Sequence, residues 1–204
     1  MIIAVYVDDL NILRTSGEIS QTVEYLKKEF EMKDLGKTKF CLGLQLEYIR
    51  DGILVHQMAY TEKILKRFNM AEPHPLSSPM VVRSLGLDTD PFRPKMDDED
   101  VLGPEVSYLS AIGALMYLAS HTRPDICFAV NLLSRLSSCP TQRHWNGIKH
   151  VLRYLQEMKD LGLFYTNQNK EGLVDFADAG YLSDPHNARS QTGYVFTHGG
   201  TAIS

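Results

Sequence analysis

The sequence predicts an α+β fold, and three patterns carry that prediction. Short β-rich runs separated by turn residues occupy residues 1–56, apolar stripes at helical spacing occupy 107–160, and strand-like runs return from residue 161. The 204 residues are 44% hydrophobic, enough to bury a core as one large or two small domains, which excludes a disordered chain.

The first element is MIIAVYVDD. Seven apolar or aromatic residues give too few turns for a stable helix, so the run reads as a buried strand ending on Asp8 and Asp9. Leu10 to Leu13 follow at once, which makes a tight hairpin with both aspartates at or beside its turn. Asp favours turns, but a turn needs only one, and two adjacent carboxylates repel unless solvent, a cation or a metal offsets them. A plain turn and a Mg2+ site both fit this spacing, because Mg2+ takes one or two carboxylates from a protein and keeps water or phosphate in its other positions.

Thr15 or Ser16 can cap a helix with Ile19, Val23, Leu26 and Phe30 on one face, ending near Gly36 and expected to lie on the sheet. Phe40, Leu42, Leu44 and Leu46 alternate as in a strand, Asp51-Gly52 is a hairpin turn, and Ile53 to Val55 returns. Tyr60, Ile64, Leu65 and Phe68 mark a further helix. Three more helices carry Tyr108 to Ala119, Ile126 to Leu136 and Trp145 to Leu155, and strands follow at Leu163–Tyr165, Leu173–Phe176 and Gly193–Thr197.

Charge is distributed unevenly about a net value of −4. Residues 88–105 hold seven acids against Arg93 and Lys95, with Pro91, Pro94 and Pro104, and read as a mobile acidic linker that Pro73, Pro75 and Pro79 extend backwards. Residues 123–159 reverse the balance, with Arg123, Arg135, Arg143, Lys149, Arg153 and Lys159 against Asp125 and Glu157. This is either a phosphate-facing surface or an ordinary solvated helix face.

Cys41, Cys127 and Cys139 are odd in number and form no C-x-x-C pair, which argues against a disulfide framework or zinc ribbon and for an intracellular setting. The apolar start lacks a charged leader region, and no stretch supplies about 18 uninterrupted apolar residues, so neither a signal peptide nor a membrane partner is expected. His144 and His150 lie six apart on one helix and face different sides, which disfavours zinc. His198-Gly199-Gly200 reads as a glycine turn.

In this order, several blocks resemble the reverse transcriptase of copia-type retrotransposons over nearly the whole chain. They are Tyr6-Val7-Asp8-Asp9, Phe30 to Gly36, Phe40-Cys41-Leu42-Gly43-Leu44, Ile112 to Tyr117, Thr122 to Ile126, His144-Trp145, Leu152 to Leu155 and Arg189 to Tyr194. The resemblance implies a partial polymerase palm over 1–70, the acidic linker over 71–106, a helical thumb-like or connection-like unit over 107–160 and the start of an RNase H-like sheet over 161–204. It also implies two-metal nucleotidyl transfer with Mg2+, on an RNA–DNA or DNA duplex template-primer with a dNTP. Asp8 would be the direct metal ligand and Asp9 its supporting partner. Asp178 would be the first metal-binding carboxylate of RNase H, although Gly180 and Tyr181 depart from the usual residues there.

Phe40, Leu42, Gly43 and Leu44 look like a primer grip acting through the backbone, and Gly113 like the small residue of a thumb helix that approaches the duplex. Arg123, Arg135, Arg143, Lys149 and Arg153 would supply phosphate contacts without reading sequence. The resemblance places a third polymerase carboxylate upstream of Met1 and further RNase H carboxylates beyond Ser204. The 204-residue chain is therefore expected to be a catalytically silent piece of a reverse transcriptase. A non-catalytic interaction module and a relic without maintained function are the alternatives.

Overall fold

The structure, a computed structural model, describes residues 1–70, 74, 76–81, 88–168 and 172–203. Pro73 and Pro75 of the expected linker lie outside the described residues. The chain divides into two compact units, residues 1–41 and 42–204.

In the first unit, β1 (Ile2–Tyr6) and β2 (Asp9–Leu13) form an antiparallel hairpin, with Ile2 opposite Leu13 and Tyr6 opposite Asp9. α1 (Ser16–Glu29) follows, with the Thr15 hydroxyl donating to the Glu18 carboxylate at 2.5 Å. The helix stops well before Gly36. Asp34 accepts the Gly36 N–H at 2.8 Å, a local turn that competes with helical bonding. Ile19, Val23 and Leu26 are half-buried, yet β1 is exposed along its length, not buried as its apolar sequence predicts. One helix and one hairpin give a unit of this size too little material to cover both faces of the strands. β3 (Phe40–Cys41) ends the unit.

The second unit opens on a turn at Leu42-Gly43, where φ is +51° and +79°. The continuous strand expected from Phe40 to Leu46 is therefore interrupted, and β4 (Leu44–Ile49) begins after the turn. It pairs antiparallel with β5 (Gly52–His56), leaving Arg50-Asp51 at the tip, one residue ahead of the predicted turn. α2 (Met58–Arg67), α3 (Tyr108–His121), a 3-10 turn at Pro124–Ile126, α4 (Cys127–Ser134) and α5 (Gln142–Glu157) follow close to their predicted stripes.

The core sits among these helices. Ile64 and Leu65 of α2 meet Ala111, Leu115 and Leu118 of α3, Val130 and Leu133 of α4, and Ile148, Leu152 and Leu155 of α5. Gly147 lets α5 approach α4, because a Cβ there would stand 2.9 Å from Leu133 Cδ2. β6 (Gly162–Thr166) returns antiparallel to β5. β7 (Leu173–Gly180), β8 (Gln191–His198) and β9 (Thr201–Ala202) form a separate antiparallel sheet in that order, and the Tyr165 hydroxyl of β6 donates to the Ala202 carbonyl at 2.8 Å.

The acidic stretch is not a mobile linker over its described residues 88–106. Asp90 and Phe92 are buried, and Asp90 accepts the Phe92 N–H at 2.9 Å and lies 3.0 Å from His186 Nε2. Glu99 receives Arg143 through two bonds of 3.0 and 2.8 Å, and Arg143 Nη1 donates to the carbonyls of Pro91 at 2.6 Å and Arg93 at 3.1 Å. His144, fully buried, accepts the Thr141 N–H on Nδ1 at 3.0 Å, so its Nε2–H donates to the Arg93 carbonyl at 2.9 Å. Both bonds require one neutral tautomer. The first turn of α5 thus clamps the acidic stretch by supplying partners for its carboxylate and carbonyls.

Two outcomes follow from this packing. Leu152→Ala should destabilise the chain by about 3 kcal/mol in urea unfolding, from lost burial plus a residual cavity. Acid should act in two steps. Burial holds His144 below its ordinary 6.5, so below that pH the unfolded chain takes up a proton more readily than the folded one and stability falls. A second loss should start near pH 4.5 and run down toward 2, since Arg143 holds the Glu99 carboxyl at about 2. Stability curves of His144→Gln should show a smaller first step, the remainder coming from His150, which burial likewise holds below 6.5.

Candidate functional site

Two turns carry the chemistry-bearing residues. The first is Val7-Asp8, which closes the β1–β2 hairpin as a two-residue loop and leaves Asp9 as the first residue of β2. Val7 sits at φ +50°. A β-branched residue in that region is strained, by about 1 to 3 kcal/mol, and such strain concentrates at functional positions. Asp8 and Asp9 are both exposed, consecutive, and carried at the tip of a tight hairpin. Asn11, on the same strand, accepts the Thr38 hydroxyl at 2.8 Å and donates to Cys41 Sγ at 3.4 Å, which ties β2 to the end of its unit. The sequence gives Val7 a place in the Tyr6-Val7-Asp8-Asp9 block but no sign of its backbone strain, and it gives Asn11 no role, because nothing there distinguishes it from an ordinary strand residue.

The second turn is Leu42-Gly43. The Tyr117 hydroxyl of α3 donates to the Leu42 carbonyl at 2.9 Å, and a Cβ on Gly43 would lie 2.5 Å from that same hydroxyl. Leu42 is exposed and Leu44 half-buried. Phe40, at the end of the first unit, is exposed as well. Gly113 lies on the exposed face of α3 between Leu109 and Met116, both exposed, and nothing stands within 4 Å of where its Cβ would be. Close helix packing therefore gives no reason for this glycine.

Most cations of the basic stretch find partners within the fold. Arg123 is only 2% exposed, grips Asp125 through Nε at 3.0 Å and Nη2 at 2.7 Å, and donates from Nη1 to the Met158 carbonyl at 2.6 Å. Burial alone would raise the Asp125 carboxyl, but Arg123 and the Tyr154 hydroxyl, 2.8 Å away, outweigh it and hold it below its ordinary value. Arg135 lies 3.8 Å from Asp184, Arg143 is bound as described, and Arg153 Nε donates to the His74 carbonyl at 2.6 Å. Lys149 is half-buried and has no bonded partner among the described residues. Asp178 is exposed on β7, opposite Gly193. Among the described residues, no three His, Cys, Asp or Glu side chains converge as a metal-binding group.

The family model described as reverse transcriptase (RNA-dependent DNA polymerase) matches residues 1–82, the part that carries both turns. The Retrovirus-related Pol polyprotein from transposon TNT 1-94 of Nicotiana tabacum is 35% identical over the whole chain, which spans 15% of that relative. The corresponding polyprotein from transposon RE2 of Arabidopsis thaliana is 34% identical over 98% of the chain, which spans 13% of it. The chain belongs to the copia-type reverse transcriptase family. An uncharacterized mitochondrial protein of Arabidopsis thaliana is 30% identical over the full chain, which covers 81% of its length. No solved structure matches the chain.

Within this reverse transcriptase family, the donor set at the first turn suits a hard divalent cation. Two adjacent carboxylates free of cationic partners among the described residues present oxygen ligands to solvent, which is what Mg2+ takes. None of the described helices is long and apolar enough to cross a membrane. The arginines and the lysine should separate experimentally. Arg123→Ala should lower unfolding stability by about 2 kcal/mol, because it empties a buried site and leaves the Met158 carbonyl without its donor. Lys149→Ala should leave the melting temperature within about 1 °C, as for a surface substitution.

Proposed function

We propose that the chain supplies the metal-bearing and primer-positioning elements of an RNA-directed DNA polymerase acting by two-metal nucleotidyl transfer. The observation that carries this is the pair of exposed, consecutive carboxylates on the strained Val7-Asp8 turn. Asp8 would hold Mg2+ directly and Asp9 would support it. When bound, the cations activate the primer 3' hydroxyl and neutralise the triphosphate. The Leu42-Gly43 turn holds the primer end through its backbone, and the open face of α3 at Gly113 approaches the duplex. Lys149, which has no bonded partner among the described residues, is the cation we assign to phosphate contact, while Arg123, Arg135, Arg143 and Arg153 act by holding the surface that faces nucleic acid. Asp178 is assigned as one carboxylate of an RNase H centre.

We assign the remaining carboxylates of both centres to sequence outside these 204 residues, so that the polypeptide alone binds duplex without turning over dNTPs. Binding of an RNA–DNA template-primer should be indifferent to sequence and fall steeply with salt, because released counterions drive it. A filter-binding series from low to high salt checks this, and a flat response removes the phosphate contacts from the account. Incorporation of dNTPs with Mg2+ or Mn2+ should be absent for the 204-residue chain. Joined to the upstream segment of a copia-type relative, it should gain activity, and Asp8→Asn should abolish that gain by removing a ligand charge while keeping the shape. Asp8-dependent incorporation by the short chain alone would contradict the assignment.

A further inference from the structure

Within the second unit, the Leu42-Gly43 turn and the α3 helix meet through one side chain. Tyr117 donates its hydroxyl to the Leu42 carbonyl at 2.9 Å, and the same oxygen occupies the space a Gly43 side chain would need, 2.5 Å from the ideal Cβ. Both turn residues have left-handed φ, +51° at Leu42 and +79° at Gly43. Glycine tolerates this freely; leucine does not, and such a conformation persists only where surrounding structure fixes it.

The Tyr117 ring is itself fixed. Tyr60 of α2 meets it edge-on with centroids 5.0 Å apart and planes at 79°, and His121, one helical turn on, lies at 4.5 Å and bonds the Tyr117 carbonyl at 2.8 Å through Nδ1. One turn earlier on α3 stands Gly113, exposed with Leu109 and Met116 beside it. The spacing between the turn and this open helix face is therefore set by a rigid aromatic column ending in one hydrogen bond.

We propose that Tyr117 is a positioning residue for the primer terminus: it locks the backbone of the Leu42-Gly43 turn at a fixed distance from the α3 face, so that a duplex lying on the helix presents its primer end to the turn. The proposal rests on the reverse transcriptase reading. It assigns Tyr117 a role in selecting a recessed primer end, not in general duplex affinity, since the side chain acts through the Leu42 carbonyl and touches no phosphate.

Tyr117→Phe tests it, because the ring stays and only the hydroxyl is lost. Amide exchange at Gly43 and Leu44 should quicken about fivefold, the value of one neutral hydrogen bond, with the melting temperature held within about 2 °C. In competition binding, wild type should prefer an RNA–DNA duplex with a recessed primer end over a blunt duplex, and Tyr117→Phe should lose about fivefold of that preference while blunt-duplex affinity stays. Gly43→Ala should reproduce the loss, and adding Tyr117→Phe to it should not deepen it, since the two changes disrupt the same contact.

Wild-type preference left unchanged in Tyr117→Phe overturns this proposal alone. Equal loss of blunt and recessed binding together with a lower melting temperature also overturns it, by showing a role in folding only. Absence of salt-sensitive duplex binding by wild type overturns the polymerase reading and this proposal with it.

Discussion

The helical part of the second unit depends on a buried guanidinium. Arg123 ends the loop after α3, and its three guanidinium nitrogens reach Asp125 in the following 3-10 turn and the Met158 carbonyl beyond α5, while its Cζ lies 5.6 Å from the centre of the Tyr154 ring. A buried cation is costly unless each of its donors finds a partner. Satisfying it here fixes the exit of α3, the entry to α4 and the end of α5 relative to one another, and the apolar stripes of those helices close around that frame. Arg143 repeats the device at the opposite end of α5, where it holds the acidic stretch through Glu99 and two carbonyls.

This use of arginine changes what the net charge of the helical stretch means. A run that counts as basic in sequence has its most buried cation matched to a carboxylate and a carbonyl inside the fold, which leaves Lys149 without a bonded partner among the described residues. The carboxylates of Asp8 and Asp9, without a cationic partner among the described residues, stand in contrast. Where a guanidinium could have neutralised them, the described structure leaves oxygen ligands exposed on a strained turn, an arrangement that is unfavourable for a plain loop and useful for a divalent cation.

Much of the fold was legible from period alone. Stripes such as Tyr108, Ile112, Leu115 and Ala119 gave α3 within two residues, and Thr141 with His144 three residues on marked the start of α5 only in retrospect, since a histidine in the capping position is not the usual glutamate. Three things escaped. The break at Leu42-Gly43 was hidden because Leu42 fits an alternating strand and only the Tyr117 contact, 75 residues away, demands the turn. The packed acidic stretch looked like a solvated linker because its partners, Arg143 and His186, lie far along the sequence. The pairing of β6 with β5 is likewise non-local. The aspartate pair was legible as a hairpin tip, while the strain at Val7 was not, because valine is the residue least expected at positive φ.

The claim on which the account rests is that the buried Arg123 guanidinium, paired with the partly exposed Asp125 carboxylate, holds the helical core. A double-mutant cycle with Arg123→Met and Asp125→Asn, followed by urea unfolding, measures it directly. The account predicts a coupling of about 1 kcal/mol, within the range found for contacting residues and reduced because Asp125 is partly exposed, with the second change adding little to the first. Additive losses with no coupling would contradict it, since the two side chains would then stabilise the fold independently and the guanidinium would not be the group around which α3, α4 and α5 are arranged.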